Sequence, residues 1–97
     1  MSTTVVLHLT ILPDHLDAIR AGMQESLKAT REFDGCQSIT LHQDQDDPCS
    51  LVLLQQWDSR HHYQKYYDYV VSSGAMEQMM PAFSAEPVLR FLDAVDA

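Results

Sequence analysis

The stretch from Leu51 to Val71, LVLLQQWDSRHHYQKYYDYVV, constrains this chain more than any other. An apolar run, Leu51 to Leu54, leads into the only tryptophan, Trp57, and Asp58-Ser59 follows at once as a helix-start signal. Tyr63, Tyr66, Tyr67, Val70 and Val71 then recur at i, i+3, i+4, i+7 and i+8, which puts five bulky side chains on one stripe of a helix. A buried strand therefore feeds a helix whose inner face is mostly phenol rings. Such rings pack well in cores, and their polar tips also suit a pocket for a flat organic molecule. Three phenols on one buried face bring three hydroxyls that need partners, and lining a cavity is one way to meet that need.

The remaining segments supply partners for this strand-helix pair. Residues 4 to 12 are β-branched and apolar and read as a strand. Val5, Leu7, Leu9 and Ile11 make its apolar face, and Val6, His8, Thr10 and Leu12 a mixed one. Pro13-Asp14 ends it, with Asp14 as N-cap of a helix over about 15 to 32 that carries Leu16, Ile19, Met23 and Leu27 on its inner side. Asp34-Gly35 closes that helix. Residues 36 to 44 alternate as a half-buried strand, and 44 to 48, DQDDP, are a turn by their chemistry. The strand over 50 to 57 is apolar on both faces and so central. The aromatic helix spans about 59 to 72, Ser72-Ser73-Gly74 interrupts it, and a short helix over 75 to 80 gathers Met76, Met79 and Met80 before Pro81. Glu86-Pro87 leads to a last strand over about 88 to 95.

The order is β-α-β-β-α-β over one domain, residues 1 to 97. This is the α+β, ferredoxin-like split arrangement: a four-stranded antiparallel sheet with helices on one face. The odd-numbered side of the first strand meets the helices. The opposite face keeps Val6, Leu12 and one side of the 51 to 54 run, and a half-apolar open face calls for a cover. Sheet-to-sheet pairing in a twofold homodimer is the simplest one, with His8 turned toward the partner.

Charge narrows the classes of function. The net charge is -8, from 14 acids against 6 bases, and no basic cluster exists for nucleic acid or an anionic membrane surface. No apolar stretch approaches the ~20 residues of a membrane span. The beginning, MSTTVVLHLTIL, lacks a basic region before its apolar part, so no signal peptide is read and a cytoplasmic location is expected. Cys36 and Cys49 begin successive antiparallel strands, on the order of 25 Å apart at ~3.3 Å per residue. A disulfide needs Cα atoms within about 7 Å, so both thiols are expected free.

These residues resemble a family. A strand ending in Trp57, Asp58-Ser59, an aromatic helix, the Ser73-Gly74 break, Glu86-Pro87 before a final strand, and Gly35-Cys36 before the second strand together look like the antibiotic biosynthesis monooxygenase domain family. The resemblance covers nearly the whole chain and implies a small dimeric α+β barrel. Members include cofactor-free quinone-forming oxygenases, haem-degrading enzymes and signal-molecule processors. Against the cofactor-free branch, Trp57 and Tyr63 match as catalytic residues, and His42 matches a histidine loosely. The branch's asparagine falls on Leu53, and its arginine has no clear counterpart. Against the haem-degrading branch, the matching positions hold Leu7, Tyr66 and Met76, none of them the residue required.

The resemblance therefore implies a cofactor-independent monooxygenase acting on an aromatic or quinol-type small molecule, with no metal and no cofactor. Trp57 and Tyr63 are its catalytic candidates, and Tyr66, Tyr67, His42, Met80 and Phe83 its substrate-binding ones. The other reading is a non-catalytic small-molecule-binding or accessory dimer of the same fold. Met76, Met79, Met80 and Phe83 form a soft cluster, either a core plug or an adaptable lid hinged at Gly74. His61 and His62 are adjacent, about 100° apart in direction on a helix, and read as surface residues rather than a metal pair.

Overall fold

Period-two alternation in the first strand decides which side of the sheet is covered. In the computed structural model, which describes residues 2–96, β1 (Thr3–Thr10) buries Val5 and Leu9 while Val6 and His8 face the other way. The chain continues through α1 (Leu16–Thr30), β2 (Cys36–Gln43), β3 (Ser50–Trp57), α2 (Arg60–Ser72), α3 (Ala75–Met79) and β4 (Val88–Leu92). Short 3₁₀ turns lie at Pro13–His15 and Met80–Ala82. The sheet has the order β2-β3-β1-β4, and each neighbouring pair is antiparallel. This is the ferredoxin-like α+β arrangement expected, with β1 and β3 central.

The core divides into two clusters. One joins α1 to the sheet through Met23, Leu27, Ile39, Leu51, Leu53 and Leu9. The other joins α2 to it through Val5, Trp57 and Tyr63, with Phe33, Tyr66 and Phe91 packed around them. The opposite sheet face is a grid of cross-strand rows. One row reads His42, Val52, His8, Val88, and the next Thr40, Leu54, Val6, Arg90. Leu54 is 40% exposed there, and Val88 and Leu92 are similarly open.

Local chemistry explains most element ends. The Ser59 hydroxyl caps α2 by accepting from the His62 backbone N–H at 3.2 Å, and lies 2.7 Å from His62 Nδ1. His62 is thereby drawn inward, half-buried against Gly35, instead of standing on the surface as expected. Gly35 and Gly74 take left-handed φ values of 87° and 82°. Asp14 does not cap a helix: it lies inside the 3₁₀ turn, and His15 precedes α1 with no side-chain cap. Proline at position 13 starts that turn, so the helical register begins before the expected cap. α3 ends at Met79, one residue short of the expected 80, and Pro81 follows in the 3₁₀ turn Met80–Ala82 near its start, where a missing N–H costs nothing. The last strand ends at Leu92, short of 95.

Cys36 lies opposite Trp57, while Cys49 precedes Ser50 at the other end of the hairpin, and both are free thiols. Among the described residues no helix is long and apolar enough to cross a membrane.

Candidate functional site

Trp57 is the hub of an aromatic cluster, and its own strand explains why it is buried. Leu51, Leu53, Gln55 and Trp57 share the helix-facing side of β3, and the indole is 0% exposed. Its Nε1–H donates to Oε1 of Gln55 at 3.0 Å, so two buried polar groups on one strand satisfy each other. Tyr66 lies tilted over the indole at 5.1 Å between ring centroids, Tyr63 meets it edge-on at 5.7 Å, and Phe33 meets it edge-on at 6.3 Å. Tyr63 also meets Phe91 edge-on at 5.6 Å, and the Arg60 guanidinium covers the Phe91 ring at 3.9 Å.

The phenol hydroxyls have different fates. The Thr30 hydroxyl donates to the Ser26 carbonyl, so the Tyr66 hydroxyl, 2.9 Å away, donates to Thr30. Burial pushes the Tyr66 phenol above its ordinary pKa, partly offset because the Thr30 hydroxyl can turn and donate to the phenolate. Tyr63 is 2% exposed, yet no hydrogen bond reaches its hydroxyl among the described residues. Burial pushes its pKa strongly upward, and the neighbouring Tyr66 and Tyr67 phenols add to the effect. Tyr63 is therefore a neutral phenol at any physiological pH. Tyr67 stands at the edge of the cluster, 38% exposed, with its ring 6.3 Å from that of Tyr63.

Beside this cluster lies a cleft of about 600 Å³. Leu7 and Leu89 come from its sheet side, Met76, Met80 and Phe83 from the segment after α2, and Tyr67 from α2 itself. Ser84 and Glu86 bring its remaining polar side chains, and Glu86 is the one carboxylate on its wall among the described residues. The left-handed Gly74 lets the chain turn from α2 into α3, which brings Met76 to the cleft, and the 3₁₀ turn that follows brings Met80. Met80, at 59% exposure, is free to adapt to a guest.

The structure thus brings Tyr67, Met80 and Phe83 together on one wall. Trp57, Tyr63 and Tyr66 form the contiguous packed cluster next to it, and none of the three lines the cleft. His42, expected near a pocket mouth, lies instead on the open sheet face, with Nε2 2.8 Å from the Thr40 hydroxyl. The parity of β2 decides this, because Ile39 and Leu41 occupy the helix-facing positions. In the sequence Glu86 reads only as a lead-in to the last strand, and no local pattern marks it as a cleft residue. Gln55 carried a usable signal: a polar side chain at period two with Leu51, Leu53 and Trp57 must find a buried partner.

Comparison with known proteins agrees with this architecture. The chain superimposes on a crystal structure of an antibiotic biosynthesis monooxygenase with a TM-score of 0.87 at 20% identity, covering 97% of this chain and 99% of that one. Rv0793 from Mycobacterium tuberculosis matches with a TM-score of 0.87 at 23% identity, over 100% and 98% of the two chains. PA3566 from Pseudomonas aeruginosa gives 0.85 at 17% identity, over 98% and 95%. At such identities the likeness is one of fold. No curated protein matches the chain in sequence. The family model described as antibiotic biosynthesis monooxygenase matches residues 2–69, which span β1 through most of α2 and include Trp57, Tyr63, Tyr66 and Tyr67. The chain belongs to the antibiotic biosynthesis monooxygenase family.

Proposed function

We propose that this protein is a cofactor-independent monooxygenase that binds an aromatic, quinol-type molecule in the cleft between Tyr67 and the Met76–Phe83 segment. The observation that carries this reading is the cleft itself: an apolar hollow large enough for a multi-ring guest, with a phenol, a hydroxyl and a carboxylate on its wall. The guest's ring system lies against Leu7, Leu89 and Phe83, and the methionines close over it and exclude water. Tyr67 donates to the guest's phenolic oxygen and stabilises it as charge develops. Glu86 accepts the proton that leaves the reacting carbon, and the resulting carbanion passes electrons to molecular oxygen. For a ring methylene the balance is one CH₂ and one O₂ giving one ketone and one water. Trp57, Tyr63 and Tyr66 act at one remove: they hold α2 in place, with the indole N–H on Gln55 and the Tyr66 hydroxyl on Thr30, while Tyr67 is the phenol on the cleft wall. A homodimer through the open sheet face, paired over Val6, Val52 and Leu54, completes the proposed assembly, and a cytoplasmic location fits the free thiols.

The test is oxygen uptake in air with a panel of anthrones and hydroquinones. Uptake above the autoxidation rate, lost in Glu86→Gln and reduced in Tyr67→Phe, is expected. Uptake at the autoxidation rate with every compound, and no change in either variant, rejects the reading.

A specific observation also favours the non-catalytic alternative. The position that resembles the asparagine of the cofactor-free branch holds Leu53, a buried core residue, and the Trp57 indole is spent on Gln55. Stabilisation against heat by an anthrone without oxygen consumption would establish an accessory binding dimer, because a ligand of the native state alone raises stability.

A further inference from the structure

A second hollow, of about 430 Å³, lies between α1 and the β2–β3 hairpin and shares no lining residue with the aromatic cleft. Leu27, Leu41 and Leu51 lie at its floor, and Leu41 is the one of the three that is not buried. Arg20, Gln24 and Arg31 line it from the α1 side. Arg20 and Arg31 are eleven residues apart, which places them within about 20° of one direction on the helix and about 16 Å apart along it. They flank the same groove from its two ends.

Neither arginine pairs with a carboxylate among the described residues, where the ion pairs use Lys28 with Glu25 and Lys65 with Asp34. Position 24, where an acid would neutralise Arg20 across one helical turn, holds glutamine. Arg31 is held toward the sheet by donating from Nη2 to the Ile39 carbonyl at 3.2 Å, which leaves its other donors for a guest. Asp44, at the nearby turn, spends one carboxylate oxygen on the backbone N–H groups of Asp46 and Asp47. A protein of net charge -8 thus carries two uncompensated guanidinium groups around one leucine-floored groove.

We propose that this groove binds an elongated organic anion, its carbon chain laid over Leu41 and its carboxylate held by the Arg20 guanidinium. Guanidinium donors match a carboxylate in geometry and charge, while the floor rewards an apolar body that inorganic anions lack. The global negative charge opposes anions at long range, so affinity comes from contacts made in the groove and falls with added salt. The site is independent of the aromatic cleft and of the proposed oxygenase activity.

The probe is octanoate, followed by amide-resolved NMR, with octanol as the uncharged match. Octanoate is expected to move the amide signals of Gln24, Leu27, Leu41 and Gln43. Octanol is expected to bind about tenfold more weakly, as loss of a charge-assisted hydrogen bond predicts. Arg20→Gln removes no hydrogen bond found in the fold and is expected to weaken octanoate about tenfold while leaving the rest of the spectrum unchanged. Arg31→Gln lies at the other end of the groove and also frees the Ile39 carbonyl, so Arg20→Gln carries the decision. No shifts, shifts confined to the Tyr67–Phe83 cleft, equal affinity for octanol, or unchanged affinity in Arg20→Gln each overturn the proposal.

Discussion

The indole N–H of Trp57 and the side-chain oxygen of Gln55 form a hydrogen bond of 3.0 Å between two residues that are almost wholly withdrawn from water. Two positions apart on β3, they point the same way and must solve each other's desolvation. Gln55→Met keeps the volume and removes the acceptor, leaving the indole N–H unpaired at a cost of about 1–3 kcal/mol. Urea unfolding should show a lowered midpoint with an unchanged slope. Adding Trp57→Phe should cost less in the Gln55→Met background than in the parent, since the N–H it deletes is already unsatisfied there.

Two glycines should respond to alanine with opposite signs. At Gly35 the left-handed backbone disfavours a side chain by about 1–2 kcal/mol. A Cβ there would also fall 2.5 Å from the His62 ring. Gly35→Ala therefore has to push His62 off Ser59 and loosen the start of α2, and its melting temperature should drop by several degrees. Gly22 lies inside α1 with nothing within 4 Å of the place a Cβ would take, so Gly22→Ala should stabilise by about 0.5–1 kcal/mol. Thermal unfolding of the two variants beside the parent checks both signs at once.

Legibility in the sequence followed the range of the interaction. The β3 strand was readable, and as a central strand, because its run from Leu51 to Leu54 is apolar on both faces, and Ser59 was readable as a cap because its partner, His62, is three residues away. The inward turn of His62 was not, since it depends on a Cβ missing from Gly35, 27 positions earlier in the chain. The tyrosine stripe was legible as a stripe, but its division was not. Tyr66 is claimed by Thr30 of α1, and Tyr67 is left at the cleft, because helix placement over the sheet assigns each phenol its neighbour. Phe33 escaped notice for the same reason, lying in the turn after α1 and reaching Trp57 only in the fold.

The open sheet face makes a separate prediction about assembly. Leu54 lies between Thr40 and Val6 in one row, with Val52 and His8 in the next. If a second copy covers this face, Leu54→Glu places a charge in the centre of the contact, where desolvating it unpaired is costly. Sedimentation should show a dimer for the parent and a monomer for the variant, with equal far-ultraviolet circular dichroism. A variant that stays dimeric, or a parent that is monomeric, removes this face as the interface.

Alkaline stability offers a direct reading of the Tyr63 environment. Burial, with the Tyr66 and Tyr67 phenols close by, holds the folded-state pKa of Tyr63 well above the value of about 10 expected for an unfolded chain. Below that unfolded value both states keep the proton, and the folded state has its full stability. As pH rises past it, the unfolded state releases the proton while the buried phenol retains it, so stability falls by about 1.4 kcal/mol per pH unit for each such group. Tyr66, raised mainly by burial, contributes in the same direction. Tyr63→Phe keeps the ring contacts with Trp57 and Phe91 and deletes a hydroxyl with no hydrogen bond among the described residues. Its stability at pH 7 should match or exceed the parent's, and its decline above pH 10 should be shallower by one proton's worth of slope. Urea unfolding at intervals between pH 7 and 11 measures this, and parallel curves for parent and variant would show that the phenol ionises as freely in the fold as outside it.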